Sequence, residues 1–277
     1  MPYLPSPLLH LGTAVNLGAW HLEPSIVAGA FIAFSFYSYG IITIKDAFIP
    51  RQAFCFFAGA LLIFLALVSP LDSAANRLVS MHMLQHVFLS TIGPPLLLFG
   101  LTPALLESLL RPGLFARLVG YLTHPVFACT LFIVNMWFWH VPPIYDAALS
   151  HLAVHITMHL MFMGSGILFW WPVIQPSPHT GRLGEGGRLL YLAASGMPMA
   201  LLAMLLFASK GVIYDHYAKL PPLWGISHTD DQQIAGLVMG ALGEAAGFTA
   251  ITLLFFRFLD REEAAATVAA PGPADAR

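Results

Sequence analysis

HLAVHITMHLMFMGSGILFWWPVI, residues 151–174, contains no Lys, Arg, Asp or Glu. A bilayer core demands a run of this kind, because a helix needs about 20 apolar residues to cross it, within a range of about 17–25. Comparable runs occupy Ser25–Ile44, Ala53–Ser69, Ser80–Leu101, Pro125–Trp139, Arg188–Ser209 and Ile234–Phe258. The Pro125–Trp139 run is short, and its helix is expected to begin nearer His124 and reach His140. The sequence therefore predicts an all-α polytopic membrane protein of about seven transmembrane helices. The expected division is an outer N-terminal segment over 1–24, a transmembrane domain over 25–260 and a disordered tail over 261–277, where Ala, Pro and Glu replace large apolar residues.

Composition supports this reading. The chain is 58% hydrophobic and 9% charged, whereas a soluble domain carries roughly 25% charged residues. A net charge of -2 with no large basic patch leaves nothing to recognise nucleic acid. The two cysteines, Cys55 and Cys129, lie in separate apolar runs and form neither a CxxC motif nor a disulfide framework. Residues 1–22 hold no Lys or Arg, so no secretory signal is expected there. Prolines mark several helix ends: Pro50, Pro70, Pro103, Pro125, Pro142–Pro143, Pro172 and Pro221–Pro222. Pro94–Pro95 and Pro198 fall inside apolar runs, where they predict a kink or a break. Pro103–Val119 has the amphipathic look of a segment lying in the membrane interface.

Basic residues accumulate in cytoplasmic loops. Alternate loops between the predicted spans hold three and nine of the twelve Lys and Arg. The nine belong inside, which places the N-terminus outside and the C-terminus in the cytoplasm. On that map His10, His21, His82, His86, His140, His151, His155, His159, His216 and His228 lie on the outer side, and only His124 and His179 on the inner. The orientation was fixed by Lys and Arg alone, so the gathering of histidines is an independent signal.

Residues i and i+4 share a helix face, so His82/His86 form a pair and His151/His155/His159 a stripe. At about 1.5 Å per residue the stripe is about 12 Å long. All three of its rings cannot reach one metal ion, whose ligand bonds are about 2 Å. Two of them can do so with a ring from the His82/His86 helix. His82, His86, His155 and His159 are thus the main metal-ligand candidates, with His140 and His151 as rim or alternative ligands. Met81 and Met83 are candidate soft ligands, and Met158, Met161, Met163, Met197 and Met199 lie nearby. Thioethers favour Cu(I) while imidazole suits Cu, Zn and Fe, so copper is named before zinc.

Plainer readings compete. Histidine near a helix end can simply hydrogen-bond a neighbouring helix, most methionines in so apolar a chain are packing, and Trp137, Trp139, Trp170 and Trp171 fit an interfacial belt. His216 and His228, in a polar loop, read as solvated. Asp72 lies near the His82 end and can orient an imidazole through its second nitrogen, or cap the helix that follows. Asp230–Asp231 suits the positive end of the last helix. Glu244, in the middle of that helix, is expensive unless paired or protonated.

Four stretches occur in order over roughly residues 70–245: Met81-His82-Met83-Leu84-Gln85-His86; Trp139-His140-Val141-Pro142-Pro143-Ile144-Tyr145; His155 and His159 leading to Trp170-Trp171-Pro172; and Asp231-Gln232-Gln233 followed by Gly236-Leu237-Val238-Met239-Gly240. In these the chain resembles the CtaG family of bacterial cytochrome c oxidase assembly factors, although the family's last motif commonly ends Met-Trp where Gly240 stands here. The resemblance implies a multi-pass protein of the bacterial cytoplasmic (inner) membrane that helps mature a terminal haem-copper oxidase. It further implies copper delivery to an oxidase subunit, with a copper donor protein as a second partner. The expected cofactor is copper, and the expected role is not enzymatic. Alternatives are a haem-b protein with histidine axial ligands, a zinc enzyme activating water, for which no HExxH is present, and a metal transporter.

Overall fold

The computed structural model describes residues 20–177 and 180–269, so His10 and His179 lie outside the described residues. Every regular element among the described residues is a helix. The chain opens with α1 (Pro24–Thr43) and α2 (Pro50–Val68), each starting on a proline. A first-turn proline costs nothing, because the N–H it lacks would be unpaired there anyway. A short α3 (Pro70–Ala75) follows, with the Ser69 hydroxyl accepting from the Leu71 amide. Next come α4 (Val79–Phe99), α5 (Pro103–Leu109), α6 (Leu114–Leu122), α7 (Pro125–Trp139), α8 (Pro142–Ser150) and α9 (Leu152–Ile174). The chain continues through α10 (Glu185–Ala208) and the single-turn α11 (Asp215–Ala218). Last is α12, built from His228–Leu237, a π-helical turn over Val238–Leu242, and Gly243–Ala269.

Five helices are long and apolar enough to cross a bilayer, and there are seven spans if each of two bent pairs counts as one. The protein is an all-α polytopic membrane protein. The bent pairs are α4 with α5, at 100°, and α6 with α7, at 64°. Outward faces of the long helices match a lipid solvent: α1 exposes Phe31, Ile32, Phe36, Tyr39 and Ile42, and α10 exposes Leu190, Met197, Leu201 and Met204.

Departures from the sequence reading have local causes. The amphipathic stretch forms two short helices parted at Pro112–Gly113; α6 buries none of its residues and exposes Leu114, Phe115, Leu118 and Tyr121. The last helix begins before its apolar run, because the Ser227 hydroxyl accepts from the Asp230 amide and makes the polar His228–Gln233 turn helical. It also continues past Glu262 to Ala269. Pro94–Pro95 does not break α4. A π-helical turn over Phe88–Ile92 precedes the pair, and the helix runs on to Phe99. Prolines donate no amide hydrogen bond, and the wider turn absorbs the missing donors. Pro198 likewise stays inside α10.

Two buried side chains of α12 fix the end of the bundle that matters below. The Asp231 carboxylate accepts from the Val79 amide at 2.6 Å, and from the Ser80 amide at 3.2 Å and hydroxyl at 2.5 Å. It therefore caps α4 as well as opening its own helix. Gln232 accepts from the Ile213 amide at 2.7 Å and donates to the Gly211 carbonyl at 3.0 Å, which ties down the loop before α11.

Candidate metal centre

The first turns of α4 and α9 meet at this capped end and present their i,i+4 pairs to each other. Candidate ligand atoms of His82, His155 and His159 all lie within 4.8 Å of one another. Ring centres are 5.4 Å apart for His82–His155, 6.1 Å for His82–His159 and 4.3 Å for His155–His159. Two imidazoles sharing one ion keep their centres within roughly 6.5 Å, given metal–nitrogen bonds of about 2 Å, so each pair qualifies. The Nε2 atoms of His155 and His159 stand 3.1 Å apart, a separation that subtends about 100° at an ion bound to both. Closing all three rings on one ion needs movements of under about 1 Å.

His82 is fully enclosed, and its tautomer can be deduced. The Tyr217 hydroxyl is 2.8 Å from the Ala75 carbonyl, which can only accept, so the phenol proton goes there. Burial pushes that phenol well above its ordinary pKa, which keeps the proton in place. His82 Nδ1, 3.0 Å from the same oxygen, must then be the donor. Its Nε2 keeps a lone pair and has no partner, the form in which imidazole binds metals. Tyr145 completes the enclosure, stacked on Tyr214 at 4.0 Å and tilted against His82 at 5.3 Å.

His86 lies one turn deeper, 4.3 Å from His82 between ring centres, and neither ring nitrogen has a partner. His140 ends α7, and its Nε2 faces Met83 Sδ at 3.3 Å. Unpaired buried polar atoms ordinarily cost about 1–3 kcal/mol each. Several such nitrogens converging in one place fit a site made to hold a cation.

The other candidates lie elsewhere. His151 is the residue before α9 and is exposed, outside the three-histidine group. Met81 is half-buried and does not line the cavity beneath the cluster. Asp72 accepts from Gln85 at 3.1 Å and stands 3.7 Å from His21, so it does not orient a cluster imidazole as expected. The reason is direction: Gln85 lies between His82 and His86 in sequence and points to the Ala66 carbonyl and Asp72. His216, read from the sequence as solvated, is half-buried at the rim, with its amide donating to Asp146 at 3.1 Å. Burial holds its imidazole below the ordinary pKa against Asp146 and the Asn76 carbonyl, which pull it up. Tyr217, Tyr145 and Tyr214 were missed because nothing in their spacing marks hydroxyls that bond His82 and the His140 carbonyl, or a ring that packs on His82, from far away in sequence.

Tyr217→Phe tests the tautomer argument. The ring stays and the acceptor for His82 Nδ1 disappears, so Cu(I) affinity is expected to fall about 10–100-fold. Competition against a chromogenic chelator reads this, and an unchanged affinity would refute the assignment.

Comparison with known proteins adds an independent finding. The family model described as cytochrome c oxidase caa3 assembly factor (Caa3_CtaG) matches residues 35–261. An uncharacterized protein of Mycobacterium bovis is 27% identical over 188 residues, 61% of this chain and 28% of that one. An uncharacterized protein of Mycobacterium tuberculosis gives the same figures. One of Mycobacterium leprae is 22% identical over 244 residues, covering 79% of this chain and 36% of its own length. The match thus spans between 28% and 36% of these relatives. No solved structure matches.

Proposed function

This chain belongs to the cytochrome c oxidase caa3 assembly factor (Caa3_CtaG) family, and on that premise we propose that it takes up Cu(I) on the His82/His155/His159 site and passes it to a terminal oxidase subunit during assembly. The observation that carries this reading is the convergence of those three rings, with His82 held as the ligand tautomer and its Nε2 unpaired. Copper here is cargo. Imidazole donors suit copper, and neutral ligands allow a monovalent ion to leave again. The distribution of Lys and Arg supports an orientation with this end of the bundle on the outer side of a bacterial cytoplasmic membrane, the side from which a copper donor protein would reach it. A cavity of about 70 Å³, lined by His86 and His140, adjoins the cluster through the contact of His86 with His82. The role is one of assembly rather than catalysis.

Metal and haem content of the detergent-purified full chain, wild type beside His82→Ala/His86→Ala, tests the reading. The wild type should carry at least one copper per chain, and the variant none. Stoichiometric haem would move the assignment to a cytochrome. No copper even after anaerobic Cu(I) loading would mean that the histidines are structural.

A further inference from the structure

The three-histidine site leaves His86, His140, Met83 and Glu244 without a task, and all four line the cavity beneath it. His140 Nδ1 is 2.6 Å from the Met136 carbonyl and must donate to it, so His140 Nε2 carries a lone pair. That lone pair faces the Met83 sulfur, which has no hydrogen to offer, at 3.3 Å. Two electron-pair donors pressed together gain nothing without a cation between them. With metal–nitrogen and metal–sulfur bonds of about 2.0 and 2.3 Å, their separation subtends about 100° at an ion, near the tetrahedral value. His86 is 3% exposed, has both ring nitrogens unpartnered, and its centre lies 6.3 Å from that of His140.

We propose a second, softer Cu(I) site formed by Met83, His86 and His140 at the head of this cavity, with Glu244 supplying the balancing negative charge. The proposal rests on the copper reading above and extends it. Imidazoles and thioethers are neutral, so the bound ion leaves one positive charge in a low-dielectric interior, where an isolated charge is costly. Glu244, just after the π-helical turn of α12, is the acidic residue lining the cavity, and no Lys or Arg lines it. A carboxylate within a membrane is itself expensive without a partner, so ion and carboxylate solve each other's problem. Met136, Met199 and Met239 line the same space, and thioethers select Cu(I) over zinc. The outer site is all imidazole and the inner one mixed. The adjoining His82 and His86 rings link them and give the ion a path from a receiving site to a more selective one.

The test is an anaerobic Cu(I) titration of the full chain in detergent against a chromogenic chelator, with X-ray absorption at the copper edge. Wild type should bind two Cu(I), one with a sulfur neighbour. Met83→Leu should remove the sulfur signal and the second equivalent while keeping a nitrogen-only ion. Glu244→Gln should weaken that second equivalent alone, by about 10–100-fold. His155→Ala/His159→Ala should remove the other equivalent and spare the sulfur-bound one. A single nitrogen-only copper lost in His155→Ala/His159→Ala would overturn the inner site and leave the copper reading standing. Two equivalents indifferent to Met83→Leu and Glu244→Gln would also overturn it. No binding at all would remove both readings together.

Discussion

Asp231→Ala is expected to lower stability by about 3–5 kcal/mol, because it strands two buried amides and a hydroxyl at once. The donors are the Val79 and Ser80 amides and the Ser80 hydroxyl. They lie at the start of α4, where the helix offers amides with no partner of its own. A carboxylate there is favoured both as an acceptor and by the helix dipole. Alanine cannot accept, and water does not reach Asp231, which is 2% exposed. At about 2–4 °C per kcal/mol for a protein of this size, the thermal midpoint in detergent should fall by about 10 °C. Asp231→Asn keeps one acceptor oxygen and should lose roughly half as much. Because His82 sits three residues beyond Val79, copper uptake should fall with the cap. A midpoint for Asp231→Ala within about 2 °C of wild type would refute the role given to this carboxylate.

That prediction marks the boundary of what the sequence discloses. The histidine pairs are legible because helical period puts i and i+4 on one face, and basic residues alone then place them at one end. Length and polarity are likewise enough for the spans, since a bilayer fixes both. The bond from Asp231 to Val79 joins residues far apart in the chain. Local pattern sees Asp231 only as the start of its own helix. The stripe His151/His155/His159 shows that two of three rings can share an ion without saying which two. Here His151 precedes the helix and is exposed, so the choice falls on the other pair. Pro94–Pro95 announces a fault in α4 but not its form, because a π-helical turn depends on what packs against it. His216 reads as polar loop, and only the fold of α11 over the cluster buries it.

Gly166→Ala carries the second large effect, and it reaches the site through the backbone. The π-helical turn in α4 precedes two prolines, and the Ser90 carbonyl, four residues before Pro94, has no amide there to accept from. α9 packs against this turn at Gly166. A Cβ on that glycine would lie 2.4 Å from the Ser90 carbonyl oxygen, 2.9 Å from Ser90 Cα and 3.0 Å from Pro94 Cγ. Two of those atoms are backbone and cannot turn aside, so α9 must retreat from α4. Overpacking of this kind costs about 1–3 kcal/mol and occasionally more. The same retreat draws His155 and His159 away from His82, whose ring centres now stand 5.4 and 6.1 Å away and have little slack for a shared ion. Gly166→Ala should therefore lose thermal stability and weaken Cu(I) binding by about tenfold or more, the equivalent of about 1.4 kcal/mol. Gly164→Ala is the control: nothing lies within 4 Å of a Cβ there, and alanine improves helix propensity by about 0.8–1.0 kcal/mol. That variant should match or exceed the wild type in both measurements. Equal behaviour of the two variants would mean that the spacing of α4 and α9 does not set the geometry of the histidines; a loss confined to Gly166→Ala ties the site to this single close approach.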